Sequence, residues 1–267
     1  MLIATSRQST ITVHIAMTTE KTAVSKTRVK WLNPMDSSSS FPDVETAMTE
    51  PDGLLAAGGD LSSERMLAAY SSGIFPWYEE GQPILWWSPD PRCVMRPDEY
   101  HVSRRLRQYA RKSNFTLTFN RAFADVIRAC AGERRSEQGT WITPDMIAAF
   151  EKLHADGWAH SVEIWDESEL VGGIYGMCIG RIFFGESMFS NRDNASKFGM
   201  IALSRTLSKL DFVLLDCQVQ SQHLASLGST TLARSDFTEI LRTSCHPATR
   251  FDDWPAKVLQ IADLLDF

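Results

Sequence analysis

The sequence has little of what many functions require. Its five cysteines, at positions 93, 130, 178, 217 and 245, are odd in number, scattered, and form no C-x-x-C. That pattern argues against a disulfide framework and a zinc centre and fits a reducing, cytoplasmic compartment. The six histidines show no H-E-x-x-H or comparable ligand spacing, so no metal is expected. No window approaches the run of roughly 18 apolar residues that a membrane-spanning helix needs, so no membrane partner is expected. There is no P-loop, no G-x-G-x-x-G, no G-x-S-x-G and no defensible Ser-His-Asp set. A dinucleotide or nucleotide cofactor is therefore not expected, and serine-nucleophile chemistry is disfavoured.

What is present suits a soluble globular enzyme. The 267 residues are 43% hydrophobic and 22% charged, enough for one or two domains with a real core. Residues 1–30 differ from the rest: rich in Ser and Thr, basic, with Glu20 as the sole acid. They read as a disordered N-terminal extension, with Met17 a second candidate start. The net charge of −6 hides an asymmetry. Residues 101–135 hold nine Arg or Lys against two acids, a net of +7, so the remainder carries −13. Such a distribution suits a polyanion docked on one side.

Along the chain, 62–73 reads as a short helix ending at Gly73, followed by a structured region dense in Pro and Trp with a short strand at 84–87. Residues 101–112 read as a basic helix, with Arg104, Arg107 and Arg111 along one face and Arg105 and Lys112 adjacent. Asn120 is expected to cap a helix closing at Gly132. Thr143, Pro144 and Gly157 bound the clearest helix, 144–156. Three antiparallel strands follow from "AHSVEIW" to "RIFFGESMFS". Then come a helix over about 194–209, a strand, and two closing helices in "SQHLASLGS" and "SDFTEILRT". The order predicts an α+β protein with a mixed central sheet, also the order of the acetyltransferase-like acyl-transfer fold.

The strand "DFVLLDCQVQ" raises a question of chemistry. Residues two apart share a face, so Asp216 and Gln218 point one way and Cys217 the other. A carboxylate and an amide leaving an apolar strand side by side need partners or a task. In "FFGESMFS", Glu186 and Met188 are expected to share a face, placing a second acid across the intervening helix. For either acid alone a buried structural hydrogen bond is the better explanation. The pair together with Gln218 points to a pocket with an acidic rim and an apolar floor. An acetyl-CoA enzyme of this fold carries a glycine-rich phosphate loop before its central helix. Here that place reads "NRDNASKFGM", which leaves no cradle for a pyrophosphate.

Eight segments then occur in one order: "GLLAAGGDLS", "GIFPWY", "ILWWSPDPR", "GTWIT", "ELVGGIYG", "FFGESMFS", "NASK" and "DCQ…HLASLG". From about Trp31 to about Cys245 the chain closely resembles the bacterial leucyl/phenylalanyl-tRNA–protein transferase family. The resemblance implies a small N-terminal domain (31–92), an acetyltransferase-like (GNAT-type) catalytic domain (93–245) and a C-terminal tail (246–267). It implies transfer of leucine or phenylalanine from leucyl-tRNA or phenylalanyl-tRNA to proteins that begin with Arg or Lys, marking them for N-degron degradation. No cofactor is implied, and a monomer is the default.

An aminoacyl ester is already activated, and an α-amine has a pKa of about 7.7–8.0, so positioning supplies much of the rate without a strong base. On this reading Asp216 accepts from the Gln218 amide nitrogen, and Gln218 in turn orients the attacking amine. Glu186 receives the acceptor's positive charge, although Asp216 is a second candidate for that task. By motif match Trp77, Trp141, Phe183 and Met188 line the amino-acid pocket. Ile174 stands where relatives can carry Met, and Leu203 and Leu207 where some carry aromatics. The tRNA falls to Arg104, Arg105, Arg107, Arg111 and Lys112. Two other readings remain open: a CoA-dependent acetyltransferase, and a noncatalytic tRNA or N-degron binding module.

Overall fold

A computed structural model describes residues 29–100, 102–135, 140–246 and 250–262. The expectation for the N-terminal extension therefore lies almost wholly outside the described residues, and Lys30 already begins the first strand, β1 (Lys30–Leu32).

A four-stranded sheet has the order β1-β2-β4-β3, with β2 (Leu54–Gly58), β3 (Phe75–Pro76) and β4 (Leu85–Trp87). Helix α1 (Ser63–Ser71) lies between β2 and β3 in sequence. The Ser62 hydroxyl caps it by accepting from the Arg65 amide, and Met66, Ala69 and Tyr70 are buried.

The remaining strands form an eight-stranded sheet. They are β5 (Arg92–Met95), β6 (Thr116–Phe119), β7 (Ala159–Asp166), β8 (Glu169–Ile179), β9 (Ile182–Ser190), β10 (Leu214–Gln218), β11 (Thr230–Leu232) and β12 (Leu259–Gln260). Their order is β11-β5-β10-β9-β8-β7-β6-β12. Every pairing is antiparallel except β9 with β10, which run parallel from Ile182↔Leu214 to Phe184↔Asp216 and then part. Alternation along the strands sends neighbouring residues into two clusters on opposite faces. Leu214, Phe184, Tyr175 and Met177 join the first. Leu215, Phe183, Ile174 and Cys178 join the second. Helices α1, α3 (Phe123–Arg135), α4 (Pro144–Ala155) and α7 (Arg234–Ser244) cover the first face. Helices α2 (Arg104–Ala110), α5 (Ala195–Lys209) and α6 (Gln222–Ser226) cover the second. The protein is thus mixed α and β, with two mixed sheets and, among the described residues, seven α-helices.

Some expectations need correction. Asn120 does not cap α3. It adopts a left-handed backbone (φ 57°), and its Oδ1 accepts from the Ser161 amide of β7. Gly132 does not end that helix, which runs to Arg135. A lone glycine costs only about 1 kcal/mol in a helix interior, and nothing crowds this one. Strands β1, β2, β3, β5, β6, β11 and β12 were not expected from the sequence. β11 separates the two closing helices, and β12 lies in the expected tail, where it pairs with β6 and buries Ile261 beside it. Two- and three-residue strands carry too few side chains to show an alternation.

Candidate active site

Where β9 and β10 part, each strand carries an irregularity. In β9 the register against β8 shifts between Tyr175 and Gly176, so that Glu186 has no partner across the pair. In β10 the register against β5 shifts between Asp216 and Gln218, leaving Cys217 as the extra residue. Such bulges re-aim side chains next to sites. Gln218 ends β10 at φ 64°, in the left-handed region that favours glycine. A glutamine held there is strain of the kind found at functional positions.

The side chains so aimed form one buried network. Glu186 Oε1 accepts from the Tyr70 hydroxyl at 2.7 Å and from Gln218 Nε2 at 3.0 Å. Asp216 accepts from Arg92 through both oxygens, at 2.8 Å (Nε) and 2.7 Å (Nη2), and its Oδ1 also accepts the Gln218 backbone N–H at 2.9 Å. Arg92 Nη1 donates to the Gly73 carbonyl at 3.0 Å. The guanidinium carbon lies 4.8 Å from the centre of the Phe75 ring and 4.7 Å from that of Phe237. Tyr70, Arg92, Glu186, Asp216 and Gln218 are all at most 1% exposed. Burial pushes the Glu186 carboxyl above its ordinary value, while the donors from Tyr70 and Gln218 pull it back down. The Tyr70 phenol is pushed far up by burial and by the Glu186 charge.

Asp216 and Gln218 both enter this network, but across a register shift and in a relation that differs from expectation. The Asp216 carboxylate holds the Gln218 main chain, and Glu186 holds the Gln218 side-chain amide. Arg92 already neutralises Asp216, whereas Glu186 is held by the neutral donors of Tyr70 and Gln218. Glu186 and Met188 do not share a face. The bulge turns Glu186 toward Tyr70 of the first cluster, while Met188 packs in the second. With Nε2 fixed, Gln218 Oε1 is buried with no hydrogen-bond partner among the described residues. An orphan acceptor at the centre of an otherwise satisfied network has the chemistry to hold one N–H of a substrate amine.

The expected pocket residues fall into two sets. Trp77 and Trp141 pack with the first cluster, Trp77 beside Trp87 at 5.5 Å. Ile174, Phe183, Met188, Leu203 and Leu207 pack in the second. The two sets belong to the clusters on opposite faces of the large sheet. Arg104, Arg105, Arg107, Arg111 and Lys112 are exposed on α2 and the residues just after it, with Leu106 and Ala110 turned inward. Among the described residues no group of three or more metal-ligating side chains converges. No helix among them is long and apolar enough to cross a membrane.

Sequence reasoning missed Tyr70 and Arg92. A signal for Arg92 existed: a cation opening the apolar strand "RCVM" needs a buried counter-charge as much as Asp216 does, and two such orphans suit each other. Tyr70 sits on the apolar face of an amphipathic helix, and nothing in its spacing separates it from ordinary core.

The family model described as leucyl/phenylalanyl-tRNA protein transferase matches residues 94–242, and the model of that family's N-terminal domain matches residues 59–90. The chain is 57% identical over 203 residues to the leucyl/phenylalanyl-tRNA–protein transferase of Pseudomonas fluorescens SBW25, covering 76% of this chain and 90% of that one. It is 55% identical over 212 residues to that of Pseudomonas aeruginosa PAO1, covering 79% and 93%. It is 56% identical over 202 residues to that of Azotobacter vinelandii, covering 76% and 89%. The chain belongs to the leucyl/phenylalanyl-tRNA–protein transferase family, a family of aminoacyl-transferring enzymes.

Proposed function

We propose that this chain moves leucine or phenylalanine from aminoacyl-tRNA to the N-terminal Arg or Lys of acceptor proteins, marking them for N-degron degradation, and that the Tyr70–Glu186–Gln218 network orients the attacking amine. The observation that carries this reading is the orphan Gln218 Oε1, held in place through Nε2. It accepts one N–H of the neutral α-amine and turns the amine's lone pair toward the ester carbonyl. The amine attacks, the tetrahedral intermediate collapses, and the C–O bond to the ribose breaks. The amine loses its proton and the departing 3′ oxygen gains one. Glu186 supplies negative charge beside the acceptor cation.

On this reading the acyl side chain enters the second cluster, where Ile174, Phe183, Met188, Leu203 and Leu207 exclude branching at Cβ. Trp77 and Trp141 flank the ester from the first face. The exposed cations of α2 and its C-terminal flank meet tRNA phosphates. The catalytic region takes the acetyltransferase-like arrangement, with the first 60 or so described residues as a smaller N-terminal domain and the segment after Cys245 as a tail.

The test is transfer of labelled leucine from leucyl-tRNA to a peptide that begins with Arg, beside a matched peptide that begins with Gly and with acetyl-CoA as an alternative donor. Label is expected on the Arg peptide alone and from the tRNA alone. Gln218→Ala is expected to lower kcat about 100-fold, since a small misplacement of reacting groups costs that much. Undiminished turnover of Gln218→Ala would overturn the orienting role.

A further inference from the structure

Helix α2, the start of α5 and the end of α6 border one groove. The loop 191–194 leads from the C-terminal end of β9 into α5, and residues 219–221 lead from the C-terminal end of β10 into α6. The groove, of about 640 Å³, is lined by Arg105, Leu106, Tyr109, Asn194, Lys197 and Leu227 among others, with Asp193 as its one acid. A second hollow of about 510 Å³ adjoins it and shares Tyr109, Asp193 and Asn194.

The groove has a platform and charges. The Tyr109 ring is 37% exposed, and it is backed by Phe115 and Phe198 at 6.5 and 6.0 Å between centroids. An aromatic face presented from a packed base is what an unstacked nucleobase uses. Arg205 lies eight residues beyond Lys197, about 12 Å further along α5. Its Nη1 is buried with no hydrogen-bond partner among the described residues. Burial and the neighbouring Arg107 of α2 both push its guanidinium down. Neither arginine has an ion pair among the described residues. His223 of α6 likewise has a buried Nε2 without a partner, and burial and Lys197 push its imidazole down. Cations packed side by side without counter-charge make a seat for an anion. The acceptor protein does not suit it, because its own N-terminal side chain is a cation.

We propose that the α2–α5 seam seats the single-stranded 3′ segment of the donor RNA, with a nucleobase stacked on Tyr109 and phosphodiesters against Lys197 and the Arg107–Arg205 pair. This deepens the transferase reading and rests on it. The adjoining hollow reaches Ser190, four residues of strand beyond Glu186, or about 13 Å. The base on Tyr109 therefore precedes the terminal nucleoside that carries the ester, and the strand runs from the seam into the split.

The test uses the full chain with Tyr109→Ala and Lys197→Glu, and with Tyr109→Phe and Lys197→Arg as conservative partners. Two donors are compared: leucyl-tRNA, and adenosine esterified with leucine, which has no phosphodiester. Binding of uncharged tRNA is followed by fluorescence anisotropy in parallel. The disruptive variants are expected to weaken tRNA binding and raise KM for leucyl-tRNA about tenfold, with kcat/KM for the nucleoside ester unchanged and the conservative variants near wild type. Lys197→Glu should also flatten the salt dependence of tRNA binding by about one charge. Unchanged tRNA binding overturns the proposal. So does an equal loss with both donors, which would mean that these residues shape the acyl site. If wild type transferred from neither donor, the transferase reading would fail, and the anisotropy series would still decide whether RNA occupies the seam.

Discussion

Tyr70 and Gln218 donate to the same atom, Glu186 Oε1. That shared acceptor ties the charge of the carboxylate to the orientation of the amide. If Glu186 takes up a proton on Oε1, the amide loses its anchor and the acceptor cation loses its partner. Two protonations therefore limit transfer on the acid side: that of the acceptor amine, near 8, and that of Glu186, raised by burial. The logarithm of the rate should fall with a slope of about one below the first and about two below the second. The Tyr70 hydroxyl stabilises the ionised carboxylate, so removing it lets burial raise the carboxyl further. Tyr70→Phe is expected to move the break in slope to higher pH, and Glu186→Gln to abolish it along with most of the activity. A pH–rate profile with an Arg-initial peptide reads both. An unmoved break in Tyr70→Phe would mean that this hydroxyl does not tune the acid.

At the scale of the element, the site depends on two interrupted strands. Gly176 of β8 lies at the β9 bulge, and a Cβ there would press on the Phe184 carbonyl and the Phe183 ring. Gly176→Ala should cost about 1–3 kcal/mol by overpacking and lower kcat more than its stability loss explains, because the residue that must shift is next to Glu186. Urea melts and single-turnover rates measure the two separately. A stable variant with normal kcat would show that the bulge is not what aims Glu186. This also marks how far the sequence was legible. The helices of 9 to 15 residues announced themselves through periodicity, most clearly in "TPDMIAAFEKLHADG", where Thr143 and Pro144 also mark the start of α4. That Asp216 and Gln218 need partners followed from their place at the end of an apolar strand, whose side chains alternate with a period of two. The bulge at 185–187 did not. It broke that period between Glu186 and Met188, and an extra residue is visible only against a partner strand. The roles of Arg92 and Tyr70 were hidden for the same reason, since each meets its acid across more than a hundred residues of chain.

At the scale of the whole molecule, the Arg92–Asp216 pair joins parts that are far apart in sequence. Arg92 reaches Gly73 and Phe75 beside the small sheet, Phe237 of α7, and Asp216 of the large sheet. Removing one partner strands the other charge, so Arg92→Met or Asp216→Leu alone should cost about 3–5 kcal/mol. The double variant should recover most of that loss in urea melts, as apolar replacements of buried pairs often do. It should still fail in transfer, because the Gln218 backbone N–H loses its acceptor. Recovery of both stability and transfer would reduce the pair to a mere tie between the sheets. A second global property follows from His160 of β7, 5% exposed under the indole of Trp254 at 4.5 Å. Burial, then His154, holds its pKa down at about 3, against an ordinary 6.5. Between those values the unfolded chain binds more protons than the folded one. Stability is therefore full above 6.5 and is lost as the pH falls toward 3. At pH 5 the loss is about 2 kcal/mol, at 1.36 kcal/mol per unit. His160→Phe keeps a ring under Trp254 and removes the titration. Its urea midpoint should stay nearly level from pH 7 to pH 5, where that of the wild type drops. Parallel decline of the two would assign the acid sensitivity to other groups.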